Sequence, residues 1–238
     1  MEVIPAIDLK GGKCVRLFQG RADRETVYYE NPLEVALMWE EKGAQRLHLV
    51  DLDGAFQGSP MNKEVIKKIA AALKIPIQMG GGIREEETVA ELFSLGISKA
   101  IIGTAAVDNP DLVERLVKVY GDRIMVGVDA QDGMVAVKGW VESSSLSGLD
   151  LVKKMEQAGV KEVVYTDISR DGTLQGPNFD ATREIAENTK VKIIASGGVS
   201  SLEDIKIARE LEGIGISGII VGQALYTGKF TLEEALKI

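Results

Sequence analysis

Two aspartates, Asp8 and Asp129, each end a run of apolar residues, Val3-Ile4-Pro5-Ala6-Ile7 and Ile124-Met125-Val126-Gly127-Val128. A carboxylate is costly inside an apolar run and tolerable at its mouth, so both side chains are expected where a strand meets solvent or substrate. Such a pair can move protons. One carboxylate serves as base, while the other acts as acid if burial or a neighbouring negative charge keeps it protonated above the usual value of about 3.9. Taken singly, either aspartate could instead cap the turn that follows it. Asp51 and Asp167 form a second matched pair, but beside apolar Leu52 and Ile168 they fit a structural or orienting role. Thr166 stands where its hydroxyl could donate a hydrogen bond into the same mouth.

Glycines make the second chemical pattern. Gly80-Gly81-Gly82 and Gly103-Thr104 precede helical stretches, and Gly197-Gly198 and Gly222-Gln223 do so again later in the chain. Glycine lets a backbone approach a phosphate, and the helix that follows offers unpaired N–H groups at its positive end. Gly81, Gly82, Gly103, Thr104, Gly197, Gly198, Gly222 and Gln223 are therefore candidate phosphate contacts, with tight turns as the competing reading. Two such grips imply a small bis-phosphorylated substrate. Arg16 and Arg84 are further candidate partners for it, or else solvated surface arginines. His48 is the only histidine, which excludes a multi-histidine metal site and leaves either a substrate contact or a satisfied core residue. Trp140 is placed either to stack on a planar group or to pack. The glycine-rich stretch 171–178, including Asp171 and Gly176, is expected to be a mobile loop at the site, and 19–23 to be another closing over substrate.

These residues need a frame that gathers them. Short β-branched runs recur near Glu2–Ile7, Arg46–Asp51, Ile75–Met79, Ala100–Ile102, Arg123–Asp129, Glu162–Thr166, Lys192–Ala195 and Gly218–Val221, apolar nearly throughout as strands covered on both faces should be. Helical patterns fill the gaps. Asn31-Pro32 opens the first, which Lys42-Gly43 closes, and Asn109-Pro110-Asp111 repeats the opening device. The others are expected over Met61–Leu73, Glu85–Leu95, Leu112–Tyr120, Gly148–Ala158, Asp180–Asn188, Ser201–Leu211 and Leu232–Lys237. The chain also matches itself at offsets of 116 to 121 residues: Asp8 with Asp129, Asp51 with Asp167, Gly81 with Gly197, Gly103 with Gly222. Strand–helix alternation in two copies points to an α/β fold and favours a (β/α)8 TIM barrel built from two repeated half-barrels, a single domain over 1–238, over the doubly wound sheet that the same alternation allows. Closure removes the sheet edges that two separate half-sheets would expose.

Composition narrows the partners. A net charge of -8 argues against nucleic acid and anionic membrane, which both require basic surface. Cys14 is the single cysteine, so neither an internal disulfide nor a cysteine zinc cluster is possible. The first residues lack the pattern of a signal peptide, and no stretch reaches the roughly 18 apolar residues of a membrane span. A cytoplasmic, monomeric protein is the expectation.

With Ala6-Ile7-Asp8-Leu9, Gly12, Val15-Arg16-Leu17, 48–55 (HLVDLDGA), 80–84 (GGGIR), Gly127-Val128-Asp129, Thr166-Asp167-Ile168 and Ser196-Gly197-Gly198-Val199 assembled, the chain resembles over its whole length the ProFAR isomerases of histidine biosynthesis. That resemblance implies an Amadori rearrangement of an aminoaldose to an aminoketose, without metal or organic cofactor. Asp129 would protonate the ribose ring oxygen, Asp8 would remove the proton from C2, Thr166 would assist the acid, and the glycine pairs would hold the phosphates. Two related activities stay open: a dual isomerase that also accepts phosphoribosylanthranilate, and the cyclase subunit of imidazole glycerol phosphate synthase, although that sister family usually reads Cys-Leu-Asp-Val at Ala6-Ile7-Asp8-Leu9. A catalytically silent phosphate-binding barrel would keep the glycines without needing both aspartates.

Overall fold

The computed structural model describes residues 1–238, with the side chains of Ala22 and Asp23 outside the described set. Eight parallel strands form a closed ring: β1 (Glu2–Lys10), β2 (Leu47–Asp51), β3 (Ile77–Gly80), β4 (Lys99–Ile102), β5 (Ile124–Gln131), β6 (Glu162–Asp167), β7 (Lys192–Ser196) and β8 (Ile216–Val221). Their hydrogen-bonded order is β6-β7-β8-β1-β2-β3-β4-β5, and β5 pairs back onto β6. This is the expected (β/α)8 barrel. Its strands are mostly apolar because both faces are covered. Val3, Ile7 and Leu9 of β1 join the belt beneath the helices, while Ile4 and Ala6 join a separate interior cluster with Ile101, Met125, Val164, Ile194 and Ile220.

The main helices are α1 (Pro32–Glu41), α2 (Lys63–Ala72), α3 (Glu86–Ser94), α4 (Pro110–Tyr120), α5 (Gly148–Gln157), α6 (Phe179–Asn188), α7 (Leu202–Glu210) and α8 (Leu232–Ala235). Asn31 caps α1 by accepting from the Leu33 N–H, with Pro32 at the first position. The same dipeptide at Asn109-Pro110 works differently. The Asn109 side chain makes no cap bond, and α4 starts at Pro110, earlier than the apolar periodicity indicates, because proline's fixed φ already suits a first turn. No helix among the described residues is long and apolar enough to cross a membrane.

Two antiparallel extensions depart from the sequence expectation, and they occupy equivalent places in the two halves. β1 runs three residues past Ile7 and turns at Gly11-Gly12 into a strand Lys13–Phe18, which pairs with another at Arg21–Tyr29. After β5, strands Met134–Val137 and Glu142–Ser147 do the same. Segment 19–23 is thus a hairpin turn at Gln19-Gly20 followed by strand, and the side chains of Ala22 and Asp23 in it lie outside the described residues.

The repeat survives in backbone detail. Gly81 and Gly82 have φ of 104° and 75°, and their counterparts Gly197 and Gly198 have 94° and 88°. A Cβ on Gly81 would run into the Asp51 backbone, and one on Gly197 would lie 2.7 Å from the Asp167 carbonyl oxygen, so the matched crossing of neighbouring loops requires glycine in both halves.

Candidate active site

Asp8 of β1, Asp129 of β5 and Thr166 of β6 stand at the C-terminal ends of their strands and line one open cavity of about 1340 Å³. That is the end of a barrel at which ligands bind. Each aspartate is held differently. The antiparallel arm sets Val15 beside Asp8 in register, so the next residue, Arg16, swings its guanidinium onto the carboxylate, Nη1 to Oδ2. Asp129 has Thr166 as its register partner and accepts at Oδ2 from Trp140 Nε1 at 2.8 Å. Burial raises the Asp129 pKa above the ordinary aspartate value, and the hydrogen bonds of Trp140 and Thr166 offset only part of that. One cavity therefore offers a carboxyl that keeps its proton to higher pH and a second carboxylate paired with a guanidinium.

Trp140 earns its position from backbone strain and a missing side chain. Lys138, Gly139 and Trp140 have successive φ values of 56°, 68° and 69°, a left-handed run that two non-glycine residues rarely adopt. The indole then lies against Gly20 of the first hairpin, where a Cβ would collide with it. Trp140 thus packs and also donates to Asp129, joining the two hairpins over the cavity.

Asp171 is the third carboxyl of the group. Burial pushes it up to about 6, Arg16 pulls the other way, and Asp8 and Asp129 add to the rise. Its segment is tied at both ends: Gln19 N–H donates to the Asp171 carbonyl at 3.2 Å, and Asn178 Nδ2 donates to Asp167 Oδ2 at 2.6 Å. The latter repeats a bond of the first half, where Asn62 Nδ2 donates to Asp51 Oδ1 at 2.7 Å. Asp51 also accepts from the N–H groups of Gly54, Met61 and Asn62, so this pair of aspartates secures the loops after β2 and β6.

The glycines divide between two adjoining cavities. Gly81, Gly82, Gly103 and Thr104 line the large one, together with Arg84, His48 and Trp140. Gly197, Gly198, Gly222 and Gln223 line a second of about 300 Å³. Arg16, Asp171, Ser196 and Ile220 belong to both. Gly103 (φ -96°, ψ -106°) and Gly222 (φ -111°, ψ -96°) share an unusual backbone and each opens a short helix, Thr104–Asp108 and Gln223–Tyr226. A Cβ on Gly222 would fall on the Arg16 guanidinium, which spans from Asp8 to the end of β8. Gly176 lines neither cavity, and its N–H donates to the Gly198 carbonyl at 2.8 Å. Its part is to brace Gly198. His48 is 9% exposed, faces the large cavity, and has its pKa pushed down to about 3 by burial and then by Arg16.

Sequence reasoning placed Gly20 in a loop over the site but missed the hairpin that delivers Arg16. The signal was present: Lys13–Phe18 lies between the turn pairs Gly11-Gly12 and Gln19-Gly20, which is hairpin punctuation. Gln78, fully buried beside His48, carried no local signal.

A family model described as histidine biosynthesis protein matches residues 2–231. The chain belongs to this family. Curated relatives span it from end to end. The 1-(5-phosphoribosyl)-5-((5-phosphoribosylamino)methylideneamino) imidazole-4-carboxamide isomerase of Picosynechococcus sp. is 56% identical over 237 residues, covering 100% of this chain and 93% of its own length. The protein of the same name from Trichlorobacter lovleyi is 54% identical over 238 residues, covering 100% and 97%. That from Desulforudis audaxviator is 50% identical over 238 residues, covering 100% and 91%. In this member of the histidine biosynthesis family, the similarity therefore takes in both half-barrels and both hairpins.

Proposed function

We propose that this chain is an aldose–ketose isomerase that converts ProFAR, an aminoaldose, to the corresponding aminoketose by an Amadori rearrangement in histidine biosynthesis. The observation that carries the reading is the pairing of Asp8 and Asp129 at the ends of β1 and β5 in one cavity. The relatives' name supports the substrate class, since it contains two phosphoribosyl groups, and the two matched glycine sites offer two places for phosphate.

In this mechanism Asp129 gives its proton to the ribose ring oxygen, the C1–O bond breaks, and the nitrogen lone pair forms an iminium at C1. Asp8 then takes the proton from C2, and the C2–H electrons move to form the enolamine. Reprotonation at C1 and loss of the C2 hydroxyl proton give the ketone. The change is internal: C2 is oxidised as C1 is reduced. A raised pKa suits Asp129 to the acid role, and Arg16 orients Asp8. Thr166 steadies Asp129, and the glycine-lined ends anchor the phosphates so that orientation adds to what proton transfer supplies.

The test is direct. Purified protein given ProFAR should form the ketose without ammonia or a second protein, followed by absorbance; turnover only with ammonia would assign cyclase chemistry instead. Asp8→Asn and Asp129→Asn should each lower kcat by about 10²–10⁴ while changing KM little. A near-normal kcat in either variant removes that residue from the mechanism.

A further inference from the structure

The barrel interior is apolar at mid-height, yet a line of polar side chains runs from its N-terminal end up to the cavity. Arg46, immediately before β2, is held by two carboxylates: its Nη2 lies 2.7 Å from Glu2 and its Nη1 3.1 Å from Glu162. The same Nη1 donates to Gln78 Oε1 at 3.0 Å. Gln78 Nε2 then lies 3.0 Å from His48 Nδ1, its neighbour in the β2–β3 register.

Donor and acceptor chemistry orders this line without ambiguity. A guanidinium has donors only, so the oxygen of the Gln78 amide must face Arg46 and its nitrogen must face His48. An amide nitrogen donates and cannot accept, so Nδ1 of His48 must carry a lone pair. A neutral imidazole whose Nδ1 accepts bears its proton on Nε2. Turning the amide over would set an NH2 against the guanidinium, donor against donor, and give up the buried bond from Arg46 even if an Nδ1–H of His48 then met the oxygen, so the Arg46 contact fixes the amide. Nε2 has no hydrogen-bond partner among the described residues, and the ring lines the cavity.

We infer that Arg46 and Gln78 are positioning residues that lock His48 as its Nε2–H tautomer, so that the cavity floor presents a neutral hydrogen-bond donor to an oxygen of the bound sugar phosphate. The catalytic half of this inference rests on the isomerase reading above; the tautomer does not. The low pKa of His48 agrees with a ring that stays neutral, with burial as the main cause and Arg16 as the nearby cation. The opposite tautomer would turn a lone pair toward the substrate, which repels an oxygen without a proton and can only accept from a hydroxyl. A neutral donor also withholds its proton from the reaction, which leaves proton transfer to the carboxyls, the division of labour in which an uncharged imidazole polarises substrate. In effect, the end of the barrel that ordinarily serves stability sets the polarity of a group at the other end.

Because His48 is the only histidine, ¹⁵N spectra of histidine-labelled protein report one ring. At pH 7 the wild type should show Nδ1 unprotonated and Nε2 protonated; a protonated Nδ1, alone or with Nε2, overturns the inference whatever any variant does. Gln78→Glu offers His48 an acceptor in place of a donor, so the proton should move to Nδ1. Its kcat should fall about tenfold to hundredfold, the scale of one hydrogen bond reversed in a buried site, with KM within threefold of wild type. Gln78→Met should give mixed tautomers and an intermediate kcat. A switched tautomer with unchanged kcat overturns the catalytic half. Failure of the isomerase reading looks different: wild-type protein would not turn over ProFAR at all, while its spectrum would still decide the tautomer.

Discussion

Replacing Asp171 by Asn removes one of two carboxyls that face the guanidinium of Arg16, with Asp129 acting on Asp171 as well, and its effect on stability should depend on pH in a calculable way. Burial, with Asp8 and Asp129 adding to it, pushes Asp171 to about 6 from an ordinary 3.8, against the pull of Arg16. A carboxyl whose pKa is higher folded than unfolded holds its proton more tightly in the native state. The stability this contributes is complete below about pH 4 and is lost as pH climbs through about 6. About two pH units at about 1.4 kcal/mol each makes roughly 3 kcal/mol. Asp171 is only partly buried, and solvent screening reduces this to about 1–2 kcal/mol. The backbone bonds of Asp171, from its N–H to the Asp167 carbonyl and from Gln19 N–H to its own carbonyl, do not involve the side chain and remain. Urea unfolding of both proteins at unit steps from pH 4 to 8 should therefore show Asp171→Asn gaining about 1–2 kcal/mol relative to wild type as pH rises. A difference that stays flat across this range, or that favours wild type at pH 8, refutes the crowded-carboxyl argument.

Trp140→Phe keeps a ring against Gly20 but deletes the donor to Asp129, a hydrogen bond that lowers the pKa of that carboxyl. Asp129 should then hold its proton to still higher pH, and the alkaline limb of the kcat–pH profile should move upward; a limb that stays or moves down counts against Asp129 as the acid. Gly222→Ala places a methyl on the Arg16 guanidinium. It should reduce kcat/KM at least about tenfold through a clash that displaces a charged contact, whereas Gly213→Ala, which meets nothing within 4 Å, should act like wild type. Equal kcat/KM in the two variants would show that Arg16 need not reach the end of β8.

Much of the molecule is legible in residue order because its causes are local. A strand covered on both faces needs a nearly continuous apolar run, and eight of these separated by helical patterns leave a closed barrel or a doubly wound sheet, of which the half written twice favours the barrel. The Asp8/Asp129 and Gly81/Gly197 pairs stand out because the same half is written twice. The structure keeps that equivalence down to matching φ values and to the Asp51–Asn62 and Asp167–Asn178 bonds. The two hairpins were hidden because they interrupt the strand–helix rhythm with short runs whose apolar content is slight: Cys14, Val15 and Leu17 are buried in the first and Val135 and Val137 in the second, while Glu142–Ser147 has no buried residue. At Gly176 residue order does not separate a glycine that braces a neighbour, as its bond to Gly198 does, from one that meets a ligand.

By itself, the sequence determined which residue types end which strands, how many units there are, and that the units recur. It could not determine which partner each side chain meets. Arg16 with Asp8, Trp140 with Asp129, and Arg46 with Gln78 and then His48 are all contacts between different strands or loops. They exist only once register and closure set the distances. A hydrogen bond or an ion pair acts over a few ångströms in space and is indifferent to separation along the chain, so the electrostatics of this site belong to the tertiary structure, while the periodicity that builds the barrel belongs to the sequence.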